Sequence, residues 1–106
     1  MNVPIFDLDG RLLGIADLFD EEAGLVTEFD GQDHRLRQQH RADNIREEEL
    51  EVVNLTVCRV DSLDLRQPRA LVERLQARRA QGLRRDRRHD RWSLVEPDWW
   101  RTWRAS

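Results

Sequence analysis

The sequence predicts one small α/β domain whose mixed sheet of about four strands carries two helices. A length of 106 residues with 39% hydrophobic content leaves room for a single core. Short apolar segments separated by turn residues fill the first third of the chain, and helix formers without Gly or Pro fill the middle. The predicted order of elements is β-β-β-α-β-α.

The first third is typical of an antiparallel meander. Residues 3–8 form the first predicted strand, and Asp9-Gly10 is a hairpin turn dipeptide. Apolar residues within 12–15 predict the returning strand. After a turn region at 20–24, the alternation over residues 25–29 predicts the third strand.

A helix and a further strand follow in the middle of the chain. Residues 35–53 predict a crossover helix, and Asn54 can supply its left-handed stop. Residues 55–60 are the most strand-like segment of the sequence. Pro68 opens the last predicted helix, with apolar residues on one side at Leu71, Val72 and Leu75.

We divide the chain into a domain over residues 1–82 and a partly ordered Arg/Trp-rich tail over 83–106. Seven arginines lie between residues 78 and 91, and the final fifteen residues contain all four tryptophans. One interpretation is a tail whose tryptophans cover the domain, or contact a second copy or a partner protein. The other is a nucleic-acid-binding arm, with tryptophans stacking on bases and these arginines binding phosphate: Arg84, Arg85, Arg87 and Arg88.

Composition excludes several classes of site. All 18 basic residues are arginine, so Schiff-base catalysis, P-loop phosphate binding and a lysine general base are excluded. The single Cys58 can form neither an internal disulfide nor a thiolate zinc cluster. With no apolar run of about 18 residues and no secretory signal pattern, we expect a cytoplasmic protein that does not contact a membrane.

The charge is unevenly distributed along the chain. Residues 1–34 hold nine carboxylates and one arginine, a balance of −8, whereas residues 35–106 hold seventeen arginines and twelve carboxylates, a balance of +5. The net charge of −3 is therefore the sum of an acidic N-terminal third and a basic remainder of the chain.

Three carboxylates are predicted to converge at one end of the sheet. Asp17 ends the second strand, while Glu28 and Asp30 share one face of the third, because strand side chains alternate with period two. Hard oxygen ligands of this kind select Mg²⁺ or Mn²⁺, which can activate water against a phosphodiester. His34 can enter the same site as a proton carrier. The alternative is that these acids are ordinary solvated residues near strand ends.

Several sequence segments resemble a known family. They are Gly14-Ile15-Ala16-Asp17-Leu18, Glu28-Phe29-Asp30-Gly31 with His34 beyond, Asp43-x-x-Arg46 with Leu50, and Val57-Cys58-Arg59-Val60. Over residues 3 to 80 the chain is similar to the endonuclease-like domains related to very-short-patch-repair endonucleases, in the PD-(D/E)xK nuclease superfamily. The resemblance implies a restriction-endonuclease-like β-β-β-α-β-α core.

The resemblance also implies roles for particular residues. Asp17 matches the first motif acid and Glu28 the second, both metal ligands in the family, while Asp30 stands where the superfamily has a lysine. Without lysine, the attacking water would be deprotonated at the metal or by His34, with Asp30 completing the metal shell. Arg46 would stabilise the negative charge of the phosphate, or else form a salt bridge within its helix or a pair with Asp43.

The expected function is therefore a metal-dependent DNA endonuclease using Mg²⁺ or Mn²⁺. The alternative is a non-catalytic nucleic-acid-binding module that keeps the nuclease fold, and a third hypothesis is an interaction protein that docks through its Trp-rich tail. Related domains often follow an amino-terminal winged-helix segment. The sequence shows none ahead of its first strand, so we expect a separate reader module to be missing or supplied by a partner, or the chain to be a remnant of a larger protein.

Overall fold

The computed structural model describes residues 2–30 and 46–106 of the chain. These residues form six strands: β1 (Val3–Asp7), β2 (Leu12–Ala16), β3 (Leu18–Asp20), β4 (Leu25–Asp30), β5 (Thr56–Asp61) and β6 (Trp92–Ser93). They also form four α-helices and one 3-10 helix: α1 (46–52), α2 (Ser62–Leu65), α3 (Pro68–Leu83), the 3-10 helix (Arg87–His89) and α4 (Asp98–Ala105). The predicted α/β class is confirmed. Within the described ranges, no helix has the length and apolar character that crossing a membrane requires.

The strands form two three-stranded sheets, in the orders β2-β1-β6 and β3-β4-β5. β1 is antiparallel to both of its neighbours, β3 is antiparallel to β4, and β4 is parallel to β5. The prediction of a single four-stranded sheet is wrong, because the chain bends at Asp17, where the predicted second strand ends. The strand before the bend, β2, pairs with β1, and the segment after it forms an additional strand, β3, that pairs with β4.

Local chemistry accounts for the ends of these elements. Gly10 adopts φ 84° in the β1–β2 turn, a conformation that glycine accepts without steric cost. Asn54 adopts φ 79° just after α1, as its predicted role as a left-handed stop requires. Pro68 occupies the first turn of α3, where its missing N–H has no intrahelical partner to lose.

Helices α1 and α3 pack on opposite faces of the β3-β4-β5 sheet. On one face, the main core cluster consists of Ile5, Ala16, Val26, Leu50, Val53, Leu55 and Val57. On the other, Leu75 of α3 packs against Leu25 and Cys58. Because strand side chains alternate between faces, Glu28 and Arg59 share the α1 face with Val26 and Val57.

The residues assigned to the tail belong to the same fold. α3 runs past the predicted boundary to Leu83, and Gly82 packs so closely on Ala23 that an added Cβ would overlap the Ala23 carbonyl oxygen. β6 pairs with β1, and Trp100 of α4 is only 7% exposed beneath its neighbours. Its ring centroid lies 5.6 Å from that of Phe6 in an edge-to-face arrangement.

Asn54 fastens the segment before β6 to the end of α1. Its Nδ2 donates to the backbone oxygen of Asp86 at 2.9 Å and to Oδ1 of Asp90 at 2.8 Å. The Arg91 N–H donates to the Val53 carbonyl at 3.1 Å. Several half-buried polar groups are thereby paired within one short connection.

Candidate functional site

A hollow of about 210 Å³ lies between the ends of β2 and β4 and the start of the described part of α1. It is lined by Ile15, Asp17, Glu28, Phe29, Asp30, Arg46 and Arg59. The predicted acids Asp17, Glu28 and Asp30 therefore line one hollow together with Arg46. The fourth predicted catalytic residue, His34, lies outside the described residues.

Asp17 supports the backbone at the mouth of this hollow. Its Oδ2 accepts a hydrogen bond of 2.7 Å from the Phe29 N–H, while β3 pairs with β4 only as far as Leu18 opposite Thr27. The carboxylate thus satisfies a donor on the part of β4 that β3 does not reach. Oδ1 of Asp17 is not used in this contact.

Glu28 is largely enclosed in the hollow, with its side chain 12% exposed. Nη2 of Arg46 lies 2.7 Å from Oε1, and Nη2 of Arg59 lies 3.9 Å from Oε2. The Arg46 contact is an ion pair without hydrogen-bond alignment, and within the described residues the buried Oε1 accepts no hydrogen bond. Both oxygens of Glu28 therefore face positive charge, as a partly buried carboxylate requires.

The guanidinium of Arg46 is held by backbone on its other side. Its Nη2 donates to the Ile15 carbonyl at 3.3 Å. It also lies against Gly14, where an added Cβ would be 2.5 Å from Nη2 and 2.9 Å from Nε. Arg46 thus connects α1, β2 and β4 at the hollow.

Two residues at this site were not predicted from the sequence. Arg59 lies opposite Glu28 in the parallel β4–β5 ladder, and its Nε is 3.5 Å from Oε2 of Glu47 on α1. The signal that could have found Arg59 is the two-residue alternation, which places it on the α1 face once the register is known. For Glu47 the helical run gives no comparable signal.

The donor set suits a divalent cation in its chemistry but is not arranged as a ready-made centre. Carboxylate oxygens are the ligands that Mg²⁺ and Mn²⁺ prefer, and the buried Oε1 of Glu28 has no hydrogen bond to lose. In residues 2–30 and 46–106, however, no three Asp, Glu, His or Cys side chains are grouped closely enough to hold an ion. Glu28 would have to turn away from Arg46 before it could bind one.

Two of the predicted phosphate-binding arginines are engaged with the protein itself. Nε of Arg85 donates to Oγ1 of Thr56 at 3.0 Å. Nη2 of Arg87 donates to the Asn54 and Gly82 carbonyls, both at 3.4 Å, and its Nη1 lies 3.5 Å from Oδ1 of Asp90. These partly buried guanidiniums join the end of α3 to the core.

The other two predicted arginines are exposed. Arg88 forms a bidentate contact with Asp86, whose pKa is held below its usual value by this side-chain pair first and by the Arg88 backbone N–H second. Arg84 caps the end of α3 through its backbone N–H and has an exposed side chain. Of the four arginines predicted to bind phosphate, Arg84 is therefore the exposed one whose side chain has no partner among the described residues.

A second charged cluster lies on the α3 face, behind β5. Arg74 donates to both carboxylate oxygens of Asp64, at 3.1 and 2.9 Å, and to the Arg59 carbonyl at 2.8 Å. Asp64 and Asp61 also form a reciprocal capping box at the start of α2. The hydrogen bonds from Arg74 and then from the Asp61 N–H lower the pKa of Asp64 to about 2.

Comparison of the chain with protein-family models, with curated proteins and with solved structures gave no match.

Proposed function

We propose that this protein is a metal-dependent DNA endonuclease whose site is the hollow between β2, β4 and α1. The observation that carries the proposal is that Asp17, Glu28 and Asp30 line the same hollow. These are the positions to which the resemblance to very-short-patch-repair-like domains assigns the metal shell. The proposal takes the described elements as a restriction-endonuclease-like core, with β4 parallel to β5 and helices on both faces of their sheet.

To hold Mg²⁺ or Mn²⁺, the three carboxylates would have to move closer together, with Glu28 turned away from Arg46; the ion would then supply a coordinated water of lowered pKa. The Phe29 N–H binds Oδ2 of Asp17, and in this proposal the other carboxylate oxygen, Oδ1, would bind the cation. Arg46 and Arg59 already lie beside Glu28. With Glu28 turned towards a cation, the guanidiniums of Arg46 and Arg59 would neutralise the oxygens of a scissile phosphate.

A second candidate function is a non-catalytic nucleic-acid-binding module with the same core. It is favoured by the ion pairs that hold Glu28 and by the absence of lysine from the chain. Arginine remains protonated, so neither Arg46 nor Arg59 can take a proton from water. In this alternative, the arginines bind phosphate and no bond is broken.

Cleavage of supercoiled plasmid with Mg²⁺ or Mn²⁺ tests the first proposal. We expect the wild-type chain to nick the plasmid and Glu28→Gln, which keeps the shape but loses the charge, to be slower by at least about a hundredfold. Glu22→Gln is the matched control, because Glu22 pairs with Arg79 away from the hollow. Circular dichroism checks that both variants remain folded. A wild-type chain that leaves the plasmid intact, or a Glu28→Gln chain that cuts equally well, would contradict the proposal.

Fluorescence anisotropy with a labelled duplex separates the two candidates. A nucleic-acid-binding module should bind in the presence of a chelator, with an affinity that falls steeply between 50 and 200 mM salt. Salt-dependent binding by a chain that leaves plasmid intact favours the second candidate. Absence of both binding and cleavage contradicts the two together.

A further inference from the structure

The ion pair between Arg46 and Glu28 places a positive group beside the carboxylate that the proposed site needs for a cation. Nη2 of Arg46 lies 2.7 Å from the buried Oε1 of Glu28. Arg59 is more distant, because its Nη2 lies 3.9 Å from Oε2 of Glu28 and its Nε lies 3.5 Å from Oε2 of Glu47. Arg46 is thus the closer of the two arginines to the carboxylate of Glu28.

The contacts that hold the Arg46 guanidinium are weak. Its ion pair with Glu28 lacks hydrogen-bond alignment, and the hydrogen bond from Nη2 to the Ile15 carbonyl is long, at 3.3 Å. The Arg46 side chain is 35% exposed, so a ligand that enters the hollow can reach it. A phosphate group offers a guanidinium the bidentate, charge-assisted contact that it lacks here. Phosphate should therefore draw Arg46 away from Glu28.

The charges around the hollow favour the same exchange. Among the described residues, three carboxylates and two guanidiniums line it, which leaves one net negative charge. A divalent cation alone would leave one net positive charge in this partly enclosed space, and a phosphodiester would then restore neutrality. Removing the charge of Arg46 would have the same effect without any phosphate.

We propose that Arg46 is an autoinhibitory residue, which keeps Glu28 from binding a divalent cation until a phosphodiester engages its guanidinium. Cation and nucleic acid would then bind with positive coupling, and each would raise the affinity for the other by the same factor. This inference rests on the proposed function as far as the metal site in the hollow is concerned, but it does not depend on cleavage.

Binding of Mn²⁺ alone, followed through the electron paramagnetic resonance signal of the free ion, tests the inference without an activity assay. Arg46→Gln should bind Mn²⁺ at least about tenfold more tightly than the wild-type chain, because the competing charge is gone. Adding Glu28→Gln to this variant should abolish the gain. Arg79→Gln is the matched control and should bind like wild type, since it removes the same charge from an arginine that pairs with Asp20 and Glu22 away from the hollow.

Gly14→Ala provides a second variant in case Arg46→Gln disturbs the fold, which circular dichroism reports. Its added Cβ would be 2.5 Å from Nη2 of Arg46, so it displaces the guanidinium while every charge remains. We expect a smaller gain in Mn²⁺ affinity, of about threefold. If the folded variants bind Mn²⁺ no more tightly than the wild-type chain, the proposal is overturned.

Fluorescence anisotropy of a labelled duplex tests the coupling to phosphate. At constant ionic strength, Mn²⁺ should tighten duplex binding by the wild-type chain at least about threefold, and Glu28→Gln should lose this gain. The duplex is run on a gel afterwards to confirm that it is intact. Equal duplex affinity with and without Mn²⁺, or a gain that Glu28→Gln retains, would also overturn the proposal.

The plasmid assay separates a failure of this inference from a failure of the proposed function. Nicking that requires Glu28, together with unchanged Mn²⁺ binding by Arg46→Gln, leaves the endonuclease proposal standing and overturns the autoinhibitory role of Arg46. Tighter Mn²⁺ binding by Arg46→Gln, together with plasmid that stays intact, supports the autoinhibitory role and contradicts the endonuclease proposal.

Discussion

The guanidinium of Arg46 lies against Gly14, at a point where any larger residue would have its Cβ within 2.5 Å of Nη2. Gly14 is in β2, and Arg46 reaches across it from α1 to the carboxylate of Glu28. A glycine that costs conformational entropy within a strand therefore makes room for the ion pair at the hollow.

Substituting Gly14 should reveal this dependence as an energetic coupling. In Gly14→Ala the new methyl displaces the flexible guanidinium and weakens its contacts with Ile15 and Glu28, whereas an Arg46→Ala background lacks the three atoms that the methyl would meet first. We expect Gly14→Ala to cost about 1 kcal/mol more in the wild-type chain than in Arg46→Ala. Urea unfolding of the wild-type chain, the two single variants and the double variant completes this double-mutant cycle. Additivity within about 0.3 kcal/mol would mean that the two residues do not interact.

Two substitutions of Asp17 separate its backbone role from its charge. Asp17→Asn keeps an acceptor for the Phe29 N–H and should change the free energy of unfolding by less than about 0.5 kcal/mol. Asp17→Ala removes the acceptor and should cost about 1 kcal/mol, since water can replace it only in part. If Asp17 is a metal ligand, both variants lose cleavage. Denaturation and plasmid assays on the same preparations distinguish the two roles, and a folded Asp17→Asn chain that cuts normally would exclude Asp17 from the shell.

The pair between Asp64 and Arg74 predicts a pH-dependent contribution to stability. Because the pKa of Asp64 is lowered to about 2 in the folded chain, its contribution is fully present above the unfolded value near 3.8 and is lost as the pH falls through about 2. Arg74→Gln should therefore lower the free energy of unfolding at pH 6. We expect its difference from wild type to shrink between pH 4 and pH 2, as urea titrations would measure. Arg78→Gln, on the same helix, should show no such trend, and a constant Arg74→Gln difference across this pH range would rule out the linkage.

Substitutions of Asn54 test the connection between α1 and the segment before β6. Asn54→Ala loses the bonds to Asp86 and Asp90 and keeps a left-handed backbone that alanine disfavours. We expect a loss of about 2–3 kcal/mol. Asn54→Gly loses the same bonds without the backbone strain, so it should be about 1 kcal/mol more stable than the alanine variant. Equal unfolding midpoints for the two would show that φ at this position carries no cost.

Local sequence signals were sufficient for the elements that depend on local chemistry. The hairpin at Gly10, the stop at Asn54 and the opening of α3 at Pro68 all lie where predicted, because turn and cap residues act within a few positions. The strand predicted over 25–29 is β4, and the strand predicted over 55–60 is β5. The part of the predicted crossover helix before residue 46 lies outside the described residues.

The features that were missed depend on distant partners. Nothing in the alternation around Asp17 shows that its two flanking segments pair with different strands, since pairing is decided by long-range packing. The two-residue β6 is too short to leave a periodic pattern, and α4 is rich in tryptophan, which is only a moderate helix former. In the hollow, the three acids could be grouped from strand order, but Arg59 required the register.

The pairing of β1 with β6 joins a strand that is synthesised early with one that is synthesised late. Asp7 lies opposite Trp92, so a chain leaving the ribosome in order must expose one edge of its first strand until about 85 further residues have been added. Until then Phe6 also lacks the indole rings of α4 that cover it. The half of the molecule that holds β1 therefore completes its folding last, and during that interval its open strand edge is available for pairing with other nascent chains.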